Sequence, residues 1–211
     1  MSHPNVFIIE SLSLDNEKNG LHEGKILSNI LNFRKKESIY YYIRTKKELL
    51  KIIHEFEKSD FRYLHFSCHG NRKSIATTFD SIPFDELSEM LGSSIDDKRL
   101  FFSACLAVNR QLALDILPNS KCISILGPCR EVYFGDAAIL WASFYHLMFK
   151  ENSKYMSRTA IIRNAQNIAN LFRVPLKYYY RSSIKEYRLK LKYIEPIEPN
   201  INEDDKKDQI V

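Results

Sequence analysis

Short apolar runs alternate along the chain with longer stretches in which apolar residues return every three or four positions. "VFIIESL" (6–12) is nearly continuous in apolar residues and predicts a buried strand. "LHEGKILSNILNF" (21–33) brings Ile26, Leu27, Ile30 and Leu31 onto one helical face. "SIYYYIR" (38–44) has the β-branched and aromatic composition of a strand. "TKKELLKIIHEFEK" (45–58) sets Leu49, Leu50, Ile53 and Phe56 at helical spacing, with Thr45 and Glu48 forming a capping box. "YLHFSC" (63–68) is the next strand. "IPFDELSEML" (82–91) is a helix with proline near its start and Gly92 past its end. "RLFFSA" (99–104) is a strand, "NRQLALDIL" (109–117) a helix capped by Asn109 and stopped by Pro118, and "CISILG" (122–127) a fifth strand. "DAAILWASFYHLMFK" (136–150) is apolar almost all round and reads as a buried helix. "RTAIIRNAQNIANLF" (158–172) places Ile161, Ala165, Ile168 and Phe172 at helical spacing.

Strands alternating with helices imply right-handed crossovers and an α/β fold with a mostly parallel central sheet. Strands this continuously apolar need helices on both faces. "PLKYYYRS" and "IKEYRLKLKYI" predict a late β-hairpin, and in the second Tyr187, Leu189, Leu191 and Tyr193 alternate with Arg188, Lys190 and Lys192. Residues 1–194 read as a single domain and 195–211 as a disordered polar tail.

Composition narrows the class. The chain has 211 residues, 45% hydrophobic and 27% charged, enough for a real core. The formal net charge of +5 is a mild excess that requires no nucleic-acid partner. Between Arg173 and Lys192 basic and aromatic residues interleave, which suits single-stranded nucleic acid. Strict alternation there favours an amphipathic edge strand whose lysines deter aggregation. The cysteines Cys68, Cys105, Cys122 and Cys129 have neither disulfide-framework nor CxxC spacing. "MSHPNVFIIESL" lacks the pattern of a signal peptide, and the longest apolar run (137–149) is too short to span a bilayer. A reduced, cytoplasmic protein with no membrane association is the expectation.

Two strands end on reactive residues. "YLHFSCHG" (63–70) ends on His69 and Gly70, and "RLFFSACLA" (99–107) carries Cys105 just past its strand. In open parallel sheets ligands bind outside the carboxyl ends of the strands. These two strands are consecutive and joined by one crossover. If they are neighbours, a thiol and an imidazole come within reach of a shared proton, given a strand spacing of about 4.8 Å. Gly70 lets its amide approach a substrate, and that amide with the amide of Cys105 would form an oxyanion hole. The helix beginning near Asn109 would turn its positive end toward the thiolate.

"HFSCHG", "FFSACLA" and "ILGPCREVYFGDAAILWASFYHLMF" resemble the CHAT proteases, members of the caspase-like cysteine peptidases. The matching elements are His69-Gly70, Ser103-Ala104-Cys105, the strand Ile123 to Gly127, and Asp136 with Phe144-Tyr145. The resemblance runs from about residue 60 to 150. It implies a caspase-like three-layer sandwich and a cysteine endopeptidase acting on a protein substrate. His69 would be the general base and Cys105 the nucleophile, with no metal or cofactor. It also implies control by a regulatory protein partner, acting through the flanking loops 70–81 and 127–135. Caspase-like relatives that prefer a basic residue before the cut place an acid in the pocket, and those that prefer aspartate place arginines. Glu131 and Asp136 are the candidate acids and Arg130 the candidate base.

Simpler readings stand beside these. Cys68 points to the opposite face from His69 and reads as a buried small residue. His65 reads as a satisfied core histidine, Cys122 as core and Cys129 as a loop residue. Asp136, after Gly135, reads first as an N-cap. As a whole the chain has two alternatives. One is a catalytically silent caspase-like interaction module. The other is a nucleotide binder, which would want a glycine-rich first turn where "SLSLDNEKNG" offers only Gly20.

Overall fold

The computed structural model describes residues 3–182 and 189–198. Its elements are β1 (His3–Ser11), α1 (Leu14–Lys18), α2 (Glu23–Phe33), β2 (Ser38–Tyr42), α3 (Lys46–Ser59), β3 (Phe61–Gly70), β4 (Ser74–Ala76), β5 (Ser81–Pro83), α4 (Phe84–Leu91), β6 (Arg99–Ser103), α5 (Arg110–Ile116), β7 (Ser124–Pro128), α6 (Phe134–Glu151), α7 (Arg158–Phe172), β8 (Leu176–Arg181) and β9 (Leu189–Ile194). The main sheet runs β2-β1-β3-β6-β7-β8-β9. Pairings from β2 through β7 are parallel. β7–β8 and β8–β9 are antiparallel, so the late hairpin is present.

The alternation of strand side chains builds two cores. Phe7, Ile9, Leu64, Phe66, Leu100, Phe102 and Ile125 point to one face and meet α3, α4 and α5. Val6, Ile8, Tyr63, Phe101, Leu126 and Tyr178 point to the other and meet α2, α6 and α7. The result is the expected three-layer sandwich. Local signals hold: the Thr45 hydroxyl accepts from the Glu48 amide while Glu48 accepts from the Thr45 amide. The Asn109 side chain accepts from the amides of Gln111 and Leu112.

Several expectations change. Of the four apolar residues expected on one face of α2, Leu27 and Leu31 are buried while Ile26 and Ile30 face outward, and in α3 Leu50 does the same. A helix on a sheet buries one stripe, and these residues lie beyond it. For the same reason α6 is not buried all round. Trp141, Phe144 and Tyr145 pack inward, while Ile139 surfaces beside Ile26, Ile30 and Leu171. Asp136 is not an N-cap. The chain turns helical at Phe134, Tyr133 occupies the cap position, and Asp136 lies in the first turn, where its charge suits the helix dipole. The middle of β9 is exposed, with Leu191 and Tyr193 open to solvent, while Ile194 at its end is buried against the α7 side of the core. The expected loop 70–81 holds the antiparallel pair β4–β5, and α1 forms where no helix was expected. Tyr187, Arg188 and the tail from residue 199 onward lie outside the described residues. Among the described residues no helix is long and apolar enough to cross a membrane.

Candidate active site

β3 and β6 are hydrogen-bonded neighbours in parallel register from Tyr63↔Arg99 to Ser67↔Ser103. His69 and Cys105 each lie two residues beyond that last pair, at the carboxyl ends of both strands. β3 then leaves the parallel sheet, and His69 and Gly70 pair with Ala76 and Ile75 of β4. The general base expected from the sequence is thus held by a sheet and not by a loose loop. Cys105 sits in the turn between β6 and α5. Leu106 beside it has φ +60°, a costly conformation for a branched residue, maintained by the surrounding packing. Asn109 ties this turn down, because its amide nitrogen donates to the carbonyls of Leu106 and Arg72 at 3.1 and 3.0 Å. The amides of Gln111 and Leu112 are already taken by the Asn109 side chain, so the head of α5 is largely spoken for.

Both residues open onto one cleft of about 970 Å³. Gly70, Arg130, Glu131 and Asp136 also line it, so the structure brings all the sequence-predicted site residues to a single depression. Glu131 and Asp136 are exposed on its rim, and the Arg130 guanidinium donates to the Arg173 carbonyl. The Cys105 thiol lies 3.9 Å from the Val132 carbonyl on the opposite wall. Gly70 has a reason beyond the one expected. A Cβ there would stand 3.1 Å from the Cβ atoms of Ala104 and Ala107 and from the Cys105 carbonyl, so any larger residue would push β3 and the Cys105 turn a few tenths of an ångström apart.

His69 is half-buried, and burial holds its imidazole below the ordinary 6.5, so it is neutral at pH 7. The ring meets Phe134 edge-on at 5.6 Å between centroids. Its Nε2 lies 2.7 Å from the side-chain nitrogen Nδ2 of Asn16 on α1. Cys68 packs partly against the α3–α5 side of the core and also reaches the cleft lining, and loss of solvation pushes its thiol up to about 12, far less reactive than an ordinary thiol. Cys122 is buried and likewise raised to about 12.

Below the cleft lies a buried polar layer. Glu23 Oε2 accepts from the hydroxyls of Ser103 at 2.9 Å and Ser67 at 3.3 Å, the last paired residues of the two site strands. Glu10 accepts from the Gly24 amide and from the Tyr40 hydroxyl, each at 2.7 Å. It thereby takes over the capping of α2, since His22 makes no side-chain cap. Burial is the main cause that raises Glu23 from 4.5 to about 8, so it is protonated at pH 7. His65 departs from the reading of a satisfied core residue. Its Nδ1 faces the Tyr145 hydroxyl at 3.2 Å, but its Nε2 has no partner and stands 4.0 Å from the equally unpartnered Glu23 Oε1. Burial lowers His65 to about 3 and keeps it neutral.

No protein-family model and no curated protein matches this sequence. Among solved structures, a secreted C11 cysteine protease from Bacteroides thetaiotaomicron, iotapain, superposes over 85% of this chain with a TM-score of 0.53 and 10% sequence identity. This chain spans 66% of that protein's length. The fold is caspase-like. At that identity the likeness is one of architecture, and the caspase-like sheet carries His69 and Cys105 at the carboxyl ends of adjacent central strands.

Sequence reasoning missed Asn16, Glu10, Glu23 and the role of Phe134. Glu10 was detectable as a lone acid inside the apolar run of β1. Glu23 precedes Gly24, where a Cβ would sit 3.0 Å from Ile8 Cγ2, a close approach that brings the head of α2 against β1. Nothing in the local sequence tells Asn16 from the other asparagines.

Proposed function

We propose that this chain is a cysteine endopeptidase of the CHAT kind, cutting a protein substrate through Cys105 and His69. The observation that carries the reading is the convergence of both residues on one open cleft, at the ends of neighbouring parallel strands. In the reaction, His69 takes the proton from the Cys105 thiol, and the thiolate attacks the scissile carbonyl. The oxyanion is held by the amides of Gly70 and Cys105. The protonated His69 then gives its proton to the departing amine, leaving an acyl-thioester that water, deprotonated by the same ring, hydrolyses. Arg130, Glu131 and Asp136 on the cleft wall contact the substrate side chains. Control by a protein partner acts on the segment 129–133, because β4–β5 fixes the other wall.

The test is a peptide-library cleavage profile with Cys105→Ala and His69→Ala as controls. Each variant should lose at least about 100-fold in kcat/KM, the low end of what acid–base and nucleophilic groups supply. Their melting temperatures should stay near that of the parent, since both side chains lie at the cleft surface. Cleavage that survives Cys105→Ala would sink the reading.

A further inference from the structure

The chemistry proposed for the cleft needs one nitrogen of His69 free to take a proton. The two ring nitrogens are distinct, and the partner of one decides what the other can do. With the Asn16 side-chain nitrogen Nδ2 at 2.7 Å, Nε2 is engaged. Only Nδ1 is left for proton exchange with Cys105 or a substrate.

Asn16 is on a braced support. The Ser13 hydroxyl caps α1 by accepting from the Asn16 backbone amide at 3.3 Å. One residue later, the Glu17 carboxylate accepts from the Tyr42 hydroxyl at 3.1 Å and from the Arg44 guanidinium. The five-residue helix is therefore tied at both ends, to its own cap and to the end of β2. On the far side of His69 the edge contact with Phe134 limits ring rotation.

A carboxamide can turn either end toward the ring with no change of shape. With the NH₂ end toward Nε2, the orientation in the structure, Nε2 must be the acceptor. Nδ1 then carries the hydrogen of the neutral ring and has no lone pair for a thiol proton. If the carbonyl end faces Nε2, it accepts Nε2–H and Nδ1 is the base. The second arrangement also suits the protonated ring, in which both nitrogens donate and only an oxygen can be a partner. A neutral amide adds no negative charge, so the low proton affinity that burial gives His69 is kept.

We infer that Asn16 is a positioning residue for His69. Its side-chain carbonyl accepts the Nε2 hydrogen and so directs Nδ1 to take the Cys105 proton. The inference rests on the peptidase reading for its chemistry, but the tautomer it assigns can be measured without turnover. Charged and titratable groups lining the cleft with His69 are Cys68 on β3, Cys105 on the adjoining turn, Glu23 on α2, and Arg130, Glu131, Tyr133 and Asp136, while Asp15 and Glu17 share α1 with Asn16.

The experiment is ¹⁵N-histidine NMR on Cys105→Ala protein, alone and combined with Asn16→Ala or Asn16→Asp, next to peptidase kinetics on the two Asn16 variants with Cys105 intact. The parent should show His69 in the Nε2–H form. Asn16→Ala should give mixed tautomers and lower kcat/KM about 10- to 100-fold, a part of the roughly 10²- to 10⁴-fold that acid–base catalysis supplies. Asn16→Asp preserves shape but adds charge. It should raise the His69 pKa by about one unit or more and carry the acidic limb of the pH–rate profile with it. A merely structural Asn16 would shift neither tautomer nor pH profile. An Nδ1–H ring in the parent, or variants with unchanged ring protonation and kcat/KM, would overturn the inference. If the NMR results hold and no peptide is cut, the placement of the ring stands and the peptidase reading falls.

Discussion

Glu23→Gln tests the buried layer that joins the two site strands, and its effect follows from linkage. Glu23 is 3% exposed and titrates at about 8, against 4.5 as the ordinary value. Between those values the folded protein holds one proton more than the unfolded chain, so stability falls as pH rises. With 1.36 kcal/mol per unit, the penalty is about 3 kcal/mol at pH 7 and about 5 kcal/mol at pH 9. His65 acts in the opposite direction and lower down. Lowered to about 3 in the fold, it contributes stability that is lost as pH falls from about 6.5 toward 3. Above pH 6.5 that contribution is complete, which isolates Glu23. Urea unfolding at pH 6.5 and pH 9 should therefore show the parent losing about 2 kcal/mol more than Glu23→Gln over that interval. The raised thiols of Cys68 and Cys122 are common to both proteins and cancel in the difference. Glutamine keeps an oxygen for Ser67 and Ser103 and cannot ionise. Parallel pH dependences in the two proteins would refute the assignment of a buried, protonated Glu23.

Two glycines separate packing from catalysis. A Cβ at Gly127 would lie 2.5 Å from the Phe102 carbonyl oxygen and 2.6 Å from Val108 Cγ2, so Gly127→Ala should destabilise by about 3 kcal/mol in urea unfolding. An unchanged midpoint would contradict the close approach of β7 to β6. Gly70→Ala meets only the softer 3.1 Å contacts around the Cys105 turn. On the peptidase reading it should cost about tenfold or more in kcat/KM by displacing Cys105, with a stability loss of about 1 kcal/mol. A stability loss as large as that of Gly127→Ala with full activity retained would reverse the argument.

Most of the elements were legible because their signals are local. The near-continuous apolar runs of β1, β3, β6 and β7, the capping box at Thr45, the Asn109 cap and Pro118 each report on a few neighbouring residues. Adjacency of β3 and β6 followed from the two strands being consecutive and joined by one crossover, and with it the meeting of His69 and Cys105 on one cleft. Errors arose where burial depends on what lies opposite. Ile26, Leu50 and Ile139 are apolar and helical, yet they fall outside the stripe that faces the sheet. Leu191 and Tyr193 alternate as a half-buried strand should, but they lie at the sheet edge and stay open to solvent, while only Ile194 at the end of β9 is buried.

The sequence by itself determined the alternating α/β order, the parallel sheet and the two strand ends that carry sulfur and imidazole, since periodicity and caps act over spans of a few residues. Only the tertiary structure decided that Asn16 reaches the ring of His69 from 53 positions away and that Glu23 bridges Ser67 and Ser103. It alone also decided that β4–β5 clamps one wall of the cleft. These are pairings of polar groups between distant segments. Whether such a group finds a partner or is stranded in the core depends on how whole elements pack, which no local pattern records.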